Sequence, residues 1–188
     1  MRQVGKTTLM RQVYEEVKEP KLWFDFDNPL DQKVFEDEDY NVIYKRLTDM
    51  GKKSGKLSVF IDEIQNFPEI TKIIKYLIDH HNIKFYLTGS SSFYLKNLFP
   101  ESLSGRKFLY ELPPLSFQEY LYFKDAVSLQ EVCGLTLQDV YKKNSIFAHK
   151  VRIAEYEDFL RYGSFPEVVT TEDKDTKIMV LKNIFASF

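Results

Sequence analysis

Met1-Arg2-Gln3-Val4-Gly5-Lys6-Thr7-Thr8 is the stretch whose reading decides the fold, and Gly5-Lys6-Thr7 is its informative part. Set against the phosphate-loop pattern G-x-x-x-x-G-K-[ST], it lacks only the opening glycine, which falls one position before Met1. Such a loop needs glycine so that backbone N–H groups can turn inward around phosphate oxygens, at the positive end of the helix that follows. Lys6 then meets the β- and γ-phosphates and the Thr7 hydroxyl ligates Mg²⁺, with Val4, Gly5 and Thr8 completing the loop. Taken alone, the tripeptide reads equally well as an ordinary helix start. Leu9, Met10, Val13 and Val17 recur at helical spacing, however, and place the glycine and lysine at the entry to an amphipathic helix, where the phosphate chemistry requires them.

The second informative stretch is Leu57-Ser58-Val59-Phe60-Ile61-Asp62-Glu63. A mostly apolar, β-branched run ending in two acids reads as a strand buried on both faces, with carboxylates emerging at its carboxyl edge. Ligands bind at that edge in open α/β sheets. In that setting Asp62 holds Mg²⁺ through its water shell and Glu63 activates the attacking water. The plainer reading is a strand-to-helix junction at which an acid caps the next helix. The phosphate-loop reading of Gly5-Lys6-Thr7 favours the catalytic pair.

Composition bounds what else the chain can be. Its 188 residues suffice for one core-forming domain with a small appendage. With 26 basic and 28 acidic residues the net charge is −2, so no bulk field recommends nucleic acid as a partner. The single cysteine, Cys133, excludes a disulfide framework and a thiolate metal site. No apolar run approaches about 18 residues, and the expectation is a cytoplasmic protein with no membrane partner.

Between and beyond these stretches the pattern alternates strand and helix. Leu22–Phe26 reads as a strand stopped by Asp27-Asn28-Pro29, and a helix runs over 41–50. The acidic run Glu36–Asp39 reads as a solvated cap or loop, and the lysines between Gly51 and Lys56 as an exposed loop that a polyanion could also touch. Ile70, Ile73, Ile74, Leu77 and Ile78 define a helix on the sheet, with His80 and His81 at its end, where they interact with the helix dipole. Ile83–Thr88 is the next strand, followed by Gly89-Ser90-Ser91-Ser92, in which hydroxyls either sense a γ-phosphate or merely make a serine-rich turn.

Phe93–Leu98 reads as a short helix, and Arg106 sits on a loop where it either neutralises transition-state charge or is a plain surface arginine. Lys107–Leu112 reads as a strand. Ser116 with Glu119 forms a capping box, and Leu115 with Tyr120 the accompanying staple, so a helix begins at Phe117. Short helices are expected around 137–141 and 146–150, and a firmer one marked by Ile153, Tyr156, Phe159 and Leu160 ends near Gly163. Ser164–Glu167 reads as a loop, and Ile178, Leu181, Ile184 and Phe185 align on a last helix from Thr176.

With Gly5-Lys6-Thr7, Phe60-Ile61-Asp62-Glu63-Ile64-Gln65, Leu87-Thr88-Gly89-Ser90-Ser91, Leu103-Ser104-Gly105-Arg106, Leu115-Ser116-Phe117 and Tyr162-Gly163-Ser164-Phe165-Pro166-Glu167 in one order, the chain resembles a known family. It is similar to the AAA-type P-loop ATPases of bacteria and archaea in which a nucleotide domain precedes a separate C-terminal domain. The resemblance implies an α/β fold, a P-loop NTPase-like parallel sheet flanked by helices, with an ATP-binding core at 1–123 and a small helical region at 124–188. It implies ATP and Mg²⁺ as ligands, Lys6 and Thr7 as the phosphate loop (Walker A), Asp62 and Glu63 as the acidic pair (Walker B) and Thr88 or Ser90 as the γ-phosphate sensor. Arg106 matches the arginine of the family's Gly-Arg loop. The family pattern opens with a central strand and a glycine that this chain lacks, and continues into a C-terminal domain. The expectation is therefore a fragment shortened at both ends, whose partners are ATP, that missing domain, a DNA or protein client and, in an oligomer, a neighbouring subunit. Alternatives are a nucleotide-gated binding module with little hydrolysis, or an inert fragment.

Overall fold

The computed structural model describes residues 3–51, 56–90, 107–130 and 152–186. The chain divides into two compact units whose main spans are Gly5–Glu111 and Leu112–Phe188.

The first unit is built on three parallel strands in the order β1 (Lys21–Asp25), β2 (Leu57–Asp62) and β3 (Ile83–Leu87). The central strand is buried along its whole length, as its near-continuous apolar run requires of a strand with helices over both faces. Its alternate residues serve two different layers. Leu57, Val59 and Ile61 enter a core shared with Ile43 and Leu47 of α3 (Tyr40–Gly51) and Ile70, Ile73, Ile74 and Leu77 of α4 (Ile70–His80). Phe60 faces the other way, stacking on Tyr86 at 4.3 Å and meeting the edge of Tyr14, from α1 (Lys6–Glu16), at 5.0 Å.

Local departures from the sequence reading have local causes. Asn28-Pro29, read as a plain turn, opens a short helix, α2 (Pro29–Lys33): the Asn28 side chain accepts from the Leu30 N–H at 3.1 Å, and Pro29 suits the first helical position. That turn of helix delivers Phe35 to the core, edge-on to Phe24 at 5.0 Å and Phe26 at 5.5 Å. In the acidic run, Asp39 caps α3 by accepting from the Asn41 N–H at 2.9 Å, and Asp37 pairs with Arg46 at 2.7 Å. His81 stands at the carboxyl end of α4. Its ring stacks on Tyr44 at 3.7 Å, and burial, with His80 beside it, pushes its pKa down. Lys107–Leu112, expected as a strand, joins no ladder among the described residues; Phe108 and Tyr110 stand 88% and 85% exposed. A run of apolar and aromatic residues makes a strand only where a neighbour supplies hydrogen bonds. Phe93–Leu98 and the segments at 137–141 and 146–150 lie outside the described residues.

The second unit is helical among its described residues, with α5 (Phe117–Phe123), α6 (Ile153–Tyr162), α7 (Pro166–Thr170) and α8 (Lys174–Ala186). The capping box is formed as read: Ser116 Oγ accepts from the Glu119 N–H at 3.3 Å, and Glu119 accepts from the Ser116 N–H at 2.7 Å. The stretch read as a loop after Gly163 is α7 from Pro166 onward, and it buries Val168 and Val169. Ile153, Tyr156 and Leu160 do not form the buried stripe of α6; they are exposed, and Phe159 packs inward. A buried polar knot ties α5, α6 and α8: Lys177 donates to Asp158 at 2.6 Å, Tyr120 donates to the same carboxylate oxygen at 2.8 Å, and Lys177 Nζ lies 4.9 Å from the centre of the Tyr162 ring. Burial pushes the Asp158 carboxyl up, but the bonds from Lys177 and Tyr120 outweigh it and hold the group below the usual carboxylate range.

Phe35→Ala, by opening a cavity among fully buried rings, is expected to cost about 3–5 kcal/mol in urea unfolding of the first unit. Because the folded-state pKa of Asp158 is lowered, its contribution is full above the ordinary carboxylate pKa and is lost as pH falls through the lowered value. Asp158→Asn is therefore expected to destabilise the helical unit at pH 7, with the gap to wild type closing below about pH 4 in pH-dependent denaturation.

Candidate functional site

Strands β2 and β3 run parallel and end together, so the residues just past them share the carboxyl edge of the sheet. The ladder is prolonged beyond the strands by Thr88 N–H donating to Ile61 O at 3.0 Å and Ile64 N–H donating to Thr88 O at 3.1 Å. This interlock fixes the Asp62-Glu63 corner against the Thr88-Gly89-Ser90 turn. Asp62 is 4% exposed, and its Oδ1 accepts from the Thr88 hydroxyl and, at 3.1 Å, from the Glu63 N–H. A buried carboxylate needs such donors. Glu63 is half-buried, and its Oε2 accepts from Ser90 Oγ at 2.7 Å and from the Gln65 amide. The expected acidic pair and the two expected sensor hydroxyls are thus hydrogen-bonded to one another in pairs.

Glu63 sits at φ 52°, ψ 48°, a left-handed conformation that a residue with a Cβ adopts at a cost of about 1–2 kcal/mol. Its N–H, in reach of both Asp62 Oδ1 and Thr88 Oγ1 at 3.4 Å, holds the corner in place, and a single 3₁₀ turn at Ile64–Asn66 follows. Gln65, on that turn, was given no role in the sequence reading. Its signal was its spacing two residues after the glutamate, which brings its amide back onto Glu63.

The residues expected to form a phosphate loop lie at the amino end of α1. Gly5 is the residue before the helix, left-handed at φ 92°, and no acidic side chain stands in the first turn to compete for the N–H groups there. Val4 is buried, Gly5, Lys6 and Thr7 are half-buried, and Thr8 is exposed. Two anchors hold α1. Lys21, at the start of β1, donates to Val17 O at 2.9 Å, while Tyr14 meets Trp23 and Phe60, farther along the strands, at 5.7 and 5.0 Å. Lys21 also donates to Tyr14 O and lies 4.4 Å from the centre of the Tyr14 ring, so these contacts fix the carboxyl half of α1 on β1 and β2. Arg106, the remaining candidate, lies outside the described residues, as do Ser91 and Ser92.

The donor set fits a hard cation. Thr7 and Asp62, the side chains expected to ligate a metal, offer only oxygen. That suits Mg²⁺, which takes one or two protein oxygens and completes its shell with water and substrate phosphate. No helix among the described residues is long and apolar enough to cross a membrane.

A family model described as an AAA domain matches residues 1–121. The chain is 27% identical over 188 residues to an uncharacterized protein of Methanocaldococcus jannaschii, covering 97% of this chain and 38% of that one. It is 28% identical to an uncharacterized protein of Haemophilus influenzae, covering 100% of this chain and 43% of that one. An uncharacterized protein of Mycobacterium tuberculosis is 34% identical over 122 residues, covering 63% of this chain and 24% of that one. The chain thus spans about two fifths of the length of the first two relatives, at 38% and 43%. No solved structure gives a significant match.

Thr88→Val keeps the shape of the side chain but removes the donor to Asp62. It is expected to lower stability by about 1–3 kcal/mol in chemical denaturation at pH 7, since a buried carboxylate loses a hydrogen bond.

Proposed function

The chain belongs to the AAA domain family, and from that premise we propose that it binds Mg²⁺·ATP at the carboxyl edge of its sheet and hydrolyses it. The observation that carries this reading is the pairing of Asp62 with Thr88 and of Glu63 with Ser90 at adjacent strand ends. On this reading the N–H groups behind Gly5 and the Lys6 ammonium hold the phosphates, and Thr7 and Asp62 hold Mg²⁺. When bound, the ion neutralises charge on the phosphate oxygens. Glu63 takes the proton of a water whose oxygen attacks the γ-phosphorus; the bond to the β-bridging oxygen breaks with its electron pair, giving ADP and inorganic phosphate. Thr88 or Ser90 senses the γ-phosphate, and Arg106 counters transition-state charge in its own subunit or, in an oligomer, a neighbour's.

The change on hydrolysis would pass from a core at 1–123, through the helical region at 124–188, to a further C-terminal domain and its DNA or protein client. A second reading, nucleotide-gated protein binding with little turnover, draws support from the exposed Ile178, Met179 and Phe185 on α8.

In steady-state phosphate release by the full-length chain, Glu63→Gln is expected to lower kcat by about 10²–10⁴-fold with Mg·ATP affinity retained. Lys6→Ala is expected to weaken Mg·ATP binding and abolish turnover. Wild-type rates from either variant would remove the hydrolytic reading.

A further inference from the structure

We propose that Gln65 is a positioning residue for hydrolysis, a two-ended brace that aims the Glu63 carboxylate and ties it to the Ser90 turn; the proposal rests on the ATPase reading above. One end of the Gln65 carboxamide, Nε2, donates to Glu63 Oε2, and the other, Oε1, accepts from the Ser90 N–H at 3.3 Å. Ser90 Oγ donates to the same Glu63 Oε2 at 2.7 Å, closing a three-membered ring of contacts between the end of β2 and the end of β3.

The chemistry leaves one orientation. A carboxylate only accepts and a backbone N–H only donates, so the residue between them must present a donor to the first and an acceptor to the second. A side-chain amide does this; a carboxylate or an alkyl group of the same size does not. Both bonds end on Oε2, so the brace fixes which carboxylate oxygen is engaged. Because Ser90 belongs to the turn expected to sense the γ-phosphate, a shift of that turn on nucleotide binding reaches Glu63 through Gln65 as well as through the Ser90 hydroxyl. Gln65 touches neither water nor phosphate in this role. It acts through Glu63, and misplacing a reacting group by about 1 Å costs on the order of 10²-fold in rate.

The test uses the full-length chain and compares Gln65→Ala, which removes both ends of the brace, with Gln65→Glu, which keeps the size but sets a carboxylate against a carboxylate. For both, kcat is expected to fall about 10- to 100-fold while KM and the Kd for Mg·ATP stay within about twofold of wild type. The decisive comparison is the same substitution in the Glu63→Gln background. A residue that acts only through Glu63 should change the residual rate there by less than about twofold, whereas a purely structural loss would lower it by the same factor in both backgrounds. A wild-type kcat in Gln65→Ala and Gln65→Glu, an equal fall in both backgrounds, or a parallel loss of Mg·ATP affinity would each overturn the brace and leave the ATPase reading standing. A wild-type chain without turnover would instead overturn the ATPase reading, and the brace with it.

Discussion

The burial of β2 on both faces is the constraint on which the first unit depends. A central parallel strand has no solvent side, so its polar residues can emerge only where it ends. Asp62 stands at that end, still 4% exposed, and Glu63 is the first residue beyond it. The same constraint sets the neighbours: in register, β3 ends alongside and Thr88 bridges back to Ile61, so the hydroxyls of the following turn meet the two acids. The packing that makes the core thus also determines which polar groups meet.

The two layers over the sheet contribute differently. On one side α3 and α4 bury aliphatic residues in a continuous core that includes every inward residue of β2. On the other, the contact of α1 is carried largely by rings, with Tyr14 set edge-on to Trp23 and Phe60 and Phe60 stacked on Tyr86. Lys21 secures the carboxyl end of that helix through Val17 O. The ring contacts and this anchor together fix α1 on the sheet. Helix geometry relates the two motifs: Tyr14 lies roughly two turns, about 12 Å, from Lys6.

Elements specified by near neighbours were legible in the sequence. The strand at 57–62, the helix at 70–80 and the capping box at Ser116 each follow from periodicity or from a side chain reaching its own backbone. Elements that depend on a remote partner were not. Lys107–Leu112 has the apolar and aromatic content of a strand, but composition cannot supply the neighbouring strand that a ladder needs. The stripe Ile153, Tyr156 and Leu160 has helical spacing, yet which face of α6 is covered depends on where α5 and α8 lie. Lys177 is the clearest case. Nothing in its own segment marks a lysine for burial, and only Asp158 and Tyr120, brought in from two other helices, make that burial tolerable. At the site, Asp62 and Glu63 were legible because the end of an apolar run is a one-dimensional signal. For Gln65 only the spacing to Glu63 was legible, because its bond from the Ser90 N–H depends on a turn arriving from another strand.

The left-handed corner at Glu63 shows what the chain selects at this edge. The chain makes its left-handed turn before α1 with a glycine, Gly5 at φ 92°, but holds Gln3, Glu63 and Asp125 at positive φ with a Cβ. At position 63 it accepts the strain of a Cβ at φ 52°. A glycine would make the same turn at less cost but would present no carboxylate. The strain is held by the interlock around it: the Glu63 N–H meets Asp62 and Thr88, and the Glu63 side chain meets Gln65 and Ser90. All of these partners belong to the ends of β2 and β3, so what holds the corner is the same parallel pairing that buries β2. A strained conformation persists only where its surroundings over-determine it. Glu63 precedes the 3₁₀ turn at Ile64–Asn66 without capping it through its side chain; its carboxylate is held by Gln65 and Ser90 instead.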